Sequence, residues 1–151
     1  MSRSCYSDDL DSAALAMWRG RVMSAIRGRR GQRLLRDLLS ALEAMPDREL
    51  IRGDLVVDGA CCALGAVALH RGLRAQVDEI QRELPRDEWD DHDDGERNEM
   101  IAAALDVATC MVQEIADVND DWGPHDQTPA QRHARMLAWV RGHLAQGKEE
   151  R

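Results

Sequence analysis

Apolar residues recur every three or four positions along much of the chain, which is the pattern of amphipathic helices. Asp11 is expected to cap a first helix that runs to about Arg27, and a second helix is expected from about Arg30 to Met45. Gly28 lies between them, so the two helices should form a hairpin or a more open helix–turn–helix. The predicted core positions are Leu15, Trp18, Val22, Ile26, Leu34, Leu35, Leu38, Leu39 and Leu42.

The middle of the chain contains an uncharged segment. Residues 60–70, ACCALGAVALH, contain no charge before His70, and Asp58 is a candidate cap for a helix there. A helix that is apolar on all sides belongs at the centre of a domain. Before it, the pattern at about 50–57 fits either a tiny hairpin or a packed loop.

Three more helices follow from the pattern: a weak one at about 75–84, a long one at about 97–118, and a last one from Thr128. The sequence TPAQ supplies an N-cap, a proline at the first helical position and Gln131 three residues after the cap. The prediction is an all-α, compact single-domain bundle of five to six helices over residues 1–151, with frayed ends at 1–10 and 147–151.

Composition agrees with one globular domain. The 151 residues are 44% hydrophobic and 32% charged, with a formal net charge of −8. No apolar run is long enough for a membrane span, and the N-terminus lacks the apolar core of a secretory signal. We therefore expect a cytoplasmic protein whose four cysteines are reduced thiols.

The most basic stretch of this acidic chain is a cluster of five arginines around the first predicted helix junction. Its members are Arg27, Arg29, Arg30, Arg33 and Arg36. Guanidinium groups beside a helix N-terminus suit the binding of phosphates or carboxylates. Three interpretations stay open: solvated helix-end charges with internal ion pairs, a protein-binding patch, or a nucleic-acid contact.

An acidic run precedes the long helix. Its candidate docking residues are Asp87, Glu88, Asp90, Asp91, Asp93 and Asp94. An EF-hand alignment that places Gly95 at its invariant glycine puts Ile101 where the bidentate glutamate belongs, so a calcium loop is rejected. The run is expected to be a solvated loop, with mimicry of nucleic-acid phosphates as the alternative.

No residue pattern indicates catalysis or a cofactor. The five histidines have no ligand-spaced His or Cys partner, so no zinc site is expected. Glycine-rich phosphate loops and nucleophile elbows are absent from the sequence. We therefore predict neither a metal, nor a cofactor, nor catalytic residues, and an enzyme is the third of the functional hypotheses.

Several segments carry a family resemblance. AIRGRRGQRLLRDLLSALEAMP, CCALGAV, EIADVND and QTPAQRHARMLAWV, in that order, resemble a family of small soluble accessory proteins from phages and prophages of GC-rich bacteria. The family has no established activity, so no site residue is implied. The resemblance implies a non-enzymatic protein that binds a host macromolecule, with a host protein as the expected partner. A nucleic-acid-associated regulator using the Arg27–Arg36 region is the alternative, and a homo-oligomer is compatible with either.

Overall fold

The computed structural model describes residues 12–85, 94–120, 122 and 127–149, with the side chains of 94 and 145–149 left out. Within these ranges the chain forms seven helices and one two-stranded hairpin. The helices are α1 Ser12–Arg27, α2 Arg29–Ala44, α3 Ala63–His70, α4 Arg74–Glu83, α5 Asp94–Leu105, α6 Thr109–Asp120 and α7 Pro129–Glu149, and the strands are β1 Val56–Val57 and β2 Ala60–Cys61. The mainly helical prediction is confirmed, although the described part contains more helices than the five or six expected. The predicted cap Asp11 and the predicted frayed segment 1–10 lie outside the described residues.

Helix α3 lies in the core, as its uncharged sequence predicts. Residues 61–68 are all buried, and α3 packs against α2, α4 and α6. Leu34, Leu38 and Leu42 of α2 are fully buried. The absence of phenylalanine therefore leaves a core of Leu, Val, Ile, Met and Ala side chains, which suits helix packing.

The start of α3 differs from the prediction. Asp58 does not cap this helix; together with Gly59 it forms the two-residue turn of a hairpin, and both have positive φ, 49° and 83°. An Asp-Gly turn of this kind matches the right-handed twist of paired strands. The N-cap is Cys62, whose sulfur accepts a hydrogen bond from the Gly65 N–H. The hairpin therefore spans 56–61 and shares only β1 with the predicted 50–57, while β2 lies in residues that were expected to begin the helix.

The predicted long helix at 97–118 is wrong, because the chain breaks after Leu105. Asp106 has a φ of 55°, its N–H bonds to the Ala103 carbonyl, and the Val107 N–H bonds to the Ala102 carbonyl. This pair of bonds with a left-handed residue is the Schellman arrangement that ends a helix. Val107 is buried in the turn, so the apolar period continues across the break and hides it in the sequence.

The beginning of α7 matches its sequence signal. The Gln131 N–H donates to Thr128 Oγ1 at 3.1 Å, and Thr128 N donates back to Gln131 Oε1 at 2.9 Å. The predicted capping box is therefore confirmed, while the helix continues through Glu149, beyond the Gly147 at which the tail was expected to begin. None of the helices in the described ranges is long and apolar enough to cross a membrane.

Candidate functional site: an arginine stripe and cleft

A tight corner between α1 and α2 lies among the predicted arginines. Only Gly28 separates α1 from α2, and it makes no side-chain cap. Three residues later, a Cβ at Gly31 would lie 1.9 Å from the Ala25 carbonyl oxygen, so the backbones of α1 and α2 approach as closely as glycine allows. All five arginines of the predicted cluster are exposed around this corner.

Three of these arginines form one row on α2, which we call the arginine stripe. Arg29, Arg33 and Arg36 are spaced at four and three residues, so they share the outer face of the helix. Within the described part of the chain none of the three makes an ion pair. The stripe therefore presents three guanidinium groups whose charge the described side chains do not neutralise.

Beside the stripe lies a cleft of about 240 Å³, which we call the arginine cleft. Its lining comprises Arg30, Arg33, Asp37, Arg71, Leu105 and Asp106. These residues come from α2, from the residue that ends α3, and from the turn between α5 and α6. The fold thus brings together two arginines that the sequence singles out and one, Arg71, that it does not.

Arg71 is the fixed group of the arginine cleft. Its Nε donates to Asp37 Oδ2 at 2.7 Å and its Nη1 donates to the Leu105 carbonyl at 2.7 Å. The Arg71 side chain is 18% exposed, whereas the ion pair of Arg30 with Asp106, at 3.3 Å, has partners that are 57% and 69% exposed. Because exposed pairs contribute little, Asp106 constrains Arg30 less than Asp37 and the Leu105 carbonyl constrain Arg71.

The charges at the start of α2 have the unfavourable sign for a helix N-terminus. Arg29 and Arg30 stand in the first turn, and that turn contains no acidic residue. A cation there opposes the helix dipole at a cost of about 0.3–1 kcal/mol. Arg27, in the last turn of α1, has the favourable sign instead. The helix dipole therefore favours an arginine at position 27 but disfavours the arginines at positions 29 and 30.

The acidic candidates add nothing to the described part of this site. Asp87, Glu88, Asp90, Asp91 and Asp93 lie outside the described residues, and Asp94 is the first residue of α5. The residues that sequence reasoning missed are Arg71, Asp37 and Asp106. The sequence does contain one signal for Arg71, since Gly72 with its φ of 76° marks the end of α3; nothing in the sequence indicates which carboxylate it meets.

The three cysteines in the described part of the chain contribute no reactive thiol to the site. Burial raises the pKa of the Cys62 thiol to about 12, and it also raises the pKa of Cys61 and, against a hydrogen-bonding backbone, of Cys110. All three are free cysteines. A thiol with a raised pKa stays protonated at neutral pH and is a poor nucleophile. Among the described side chains, no three His, Cys, Asp or Glu residues are grouped in a way that could hold a metal ion.

No protein-family model, curated protein or solved structure matches this chain. The roles of the residues described above therefore rest on geometry and charge alone, and the resemblance to phage accessory proteins stays a prediction.

Proposed function

We propose that this chain is a non-enzymatic binding protein that docks the acidic surface of a protein partner against its arginine stripe and arginine cleft. The observation that carries the proposal is the sign of the charge at the start of α2. Arg29 stands in the first turn against the helix dipole and, with Arg33 and Arg36, has no counter-ion among the described residues. An arrangement that costs stability is expected where binding uses it.

The mixture of charges in the cleft favours a protein partner over a nucleic acid. Asp37 and Asp106 stand between the arginines, and their carboxylates would repel a continuous row of phosphates. A protein surface that carries both acidic side chains and hydrogen-bond donors complements such a cleft. The resemblance to phage accessory proteins makes a host protein the partner that we propose.

The proposal is tested with two probes, a labelled Asp/Glu-rich peptide and a labelled DNA duplex, whose binding is followed by fluorescence anisotropy at several salt concentrations. The variant Arg29→Glu/Arg33→Glu should weaken peptide binding about tenfold, since each exposed ion pair contributes about 0.2–1 kcal/mol and each reversal adds repulsion. Arg30 is left unchanged because it already pairs with Asp106.

The matched control is Arg82→Glu/Arg141→Glu, which makes the same change in net charge with exposed arginines of α4 and α7 that, like those of the stripe, make no ion pair with a described residue. Equal losses in both variants would mean that only overall charge matters, and would contradict the assignment to α2. If the duplex binds more tightly than the peptide, with a steep salt dependence that the α2 variant flattens, the nucleic-acid alternative replaces the proposal. Far-UV circular dichroism should be unchanged, because Glu at position 29 has the sign that the helix dipole favours.

A further inference from the structure

A second group of arginines lies where α5 begins, α6 ends and α7 begins. Asp120, the last residue of α6, lines a cavity with Arg97 of α5, and its charge acts on Arg132 and Arg135 of α7. For both α7 arginines, burial lowers the pKa and Asp120 partly opposes that effect. A fourth arginine, Arg52, also acts on Arg132. Several positive charges therefore share this carboxylate.

Each of the three helical arginines retains a buried nitrogen with no hydrogen-bond partner. These atoms are Arg97 Nε, Arg132 Nε and Arg135 Nη1. The bonds that Arg132 and Arg135 do make go to neutral backbone carbonyls, at Leu50 for the first and at Val118 and Asn119 for the second. Among the described residues, these three arginines therefore have more buried N–H groups than acceptors.

Arg97 differs from the other two arginines in its lack of hydrogen-bond partners among the described residues. It is only 8% exposed, and within the described ranges its guanidinium makes neither a hydrogen bond nor an ion pair. Asp120 Oδ1 accepts hydrogen bonds from the Gly53 N–H at 3.0 Å and from Asn119 Nδ2 at 2.8 Å. The Arg97 Nε is shut off from water and has no acceptor, whereas buried polar groups in proteins are nearly always hydrogen-bonded.

The cavity that Arg97 lines has the size and polarity for a small anion. Its volume is about 20 Å³, enough for a body the size of one water molecule, which needs about 10–15 Å³. Leu64 and the N-cap Cys62 also line it, so the positive end of the α3 dipole lies at its wall. The Ala63 and Gly65 N–H groups already donate to Asn119 Oδ1 and Cys62 Sγ, so the helix contributes through its dipole. Asn98, 4% exposed, adds an amide to the lining.

We propose that Arg97 and the N-terminus of α3 bind a monovalent, water-sized anion of the chloride class in this cavity. The Asp120 carboxylate at the wall opposes a second negative charge, and the surplus of arginines around it compensates for that repulsion. The ligand joins α5, α3 and the 53–55 segment, and its effect is to stabilise the folded state. This site is separate from the arginine stripe and does not depend on the proposed function.

The test compares sodium chloride with sodium gluconate at equal ionic strength, since gluconate is too large for the cavity. Urea unfolding of the wild type should show a saturable gain in chloride, reaching about an elevenfold higher ratio of folded to unfolded protein at ten times the dissociation constant. Arg97→Met should lose the difference between the two salts. The control Arg82→Met, at an exposed arginine of α4, should keep it.

The direction of the stability change that Arg97→Met causes in gluconate is a second readout. Without the anion, Arg97→Met removes an unpaired buried charge and should be at least as stable as the wild type. A loss of stability in Arg97→Met that is equal in both salts would mean that a carboxylate of the chain pairs with Arg97, and would overturn the proposal. Chlorine NMR measures binding directly. A chloride linewidth with the wild type that equals the linewidth with Arg97→Met, or with no protein, refutes binding. A stability that depends on phosphate and not on chloride refutes it as well.

Discussion

Two helical glycines set how closely the backbones in this fold can approach, and replacing them with alanine tests the packing directly. A Cβ at Gly65 would lie 2.0 Å from the Leu55 carbonyl oxygen and 2.8 Å from its carbon. Contacts shorter than 3.0 Å are essentially never made by real Cβ atoms, so α3 and the 53–55 segment would have to separate by about 1 Å. Gly31 presents the same conflict, against the Ala25 carbonyl of α1.

The magnitude follows from two opposing effects. Alanine improves intrinsic helix stability over glycine by about 0.8–1 kcal/mol. Overpacking a well-filled core costs about 1–3 kcal/mol, and more when the obstacle is backbone that cannot change rotamer. Taking the upper end of the overpacking cost less the gain in helix stability, we expect Gly65→Ala and Gly31→Ala each to lower the free energy of unfolding by about 2 kcal/mol. This corresponds to roughly 2–4 °C in Tm for each kcal/mol in a domain of this size.

Two other helical glycines provide matched controls. Gly20 in α1 and Gly142 in α7 are exposed, and an added Cβ at either would meet nothing within 4 Å. Gly20→Ala and Gly142→Ala should therefore raise the free energy of unfolding by about 0.5–1 kcal/mol. Urea denaturation followed by far-UV circular dichroism measures all four variants. If Gly65→Ala is as stable as Gly142→Ala, the close approach of α3 to Leu55 is wrong.

The remaining predictions concern helix ends and one buried thiol. Gly72 and Asp106 occupy the same left-handed position after a helix, so Gly72→Ala should cost about 1 kcal/mol whereas Asp106→Gly should be neutral to stabilising by chemical denaturation. Asn119 bonds both the first N–H of α3 and the Ile51 carbonyl; Asn119→Ala should cost about 2–4 kcal/mol in the same assay, since two buried groups lose their partner. Burial raises the pKa of Cys62 to about 12, so the stability that this thiol contributes is present below the unfolded-state pKa and is lost progressively as the pH rises above it, by on the order of 1 kcal/mol near pH 10. Between neutral pH and about pH 10, the free energy of unfolding should fall less in Cys62→Ala than in the wild type. An equal fall in both proteins would contradict the raised pKa of this thiol.

Features that depend on neighbouring residues were predictable from the sequence. The burial of α3 follows from the absence of charge in residues 60–69, and the start of α7 follows from Thr128 and Gln131. Both signals act over one or two helical turns, which is the range over which capping and amphipathic patterns operate.

Features that depend on backbone conformation were harder to predict. The hairpin had a usable signal, because Asp58-Gly59 between short apolar pairs is a strong hairpin sequence, but the cap interpretation of Asp58 competed with it. The break after Leu105 has no sequence signal, because the left-handed position is occupied by Asp106 rather than by the usual glycine, and because Val107 maintains the apolar period. Sequence period alone cannot distinguish a continuous helix from two helices joined by a buried turn.

The break after Leu105 also explains why the arginine cleft could not be predicted. In a continuous helix the Leu105 carbonyl would accept a hydrogen bond from the N–H of Thr109, four residues later. Because α5 ends there, that carbonyl is available and accepts the bond from Arg71 Nη1 at 2.7 Å. The same turn brings the Asp106 carboxylate to Arg30. The conformational strain at Asp106 therefore creates the acceptor that fixes one arginine of the cleft and the partner that holds another, so the cleft exists only if the helix is broken at this residue.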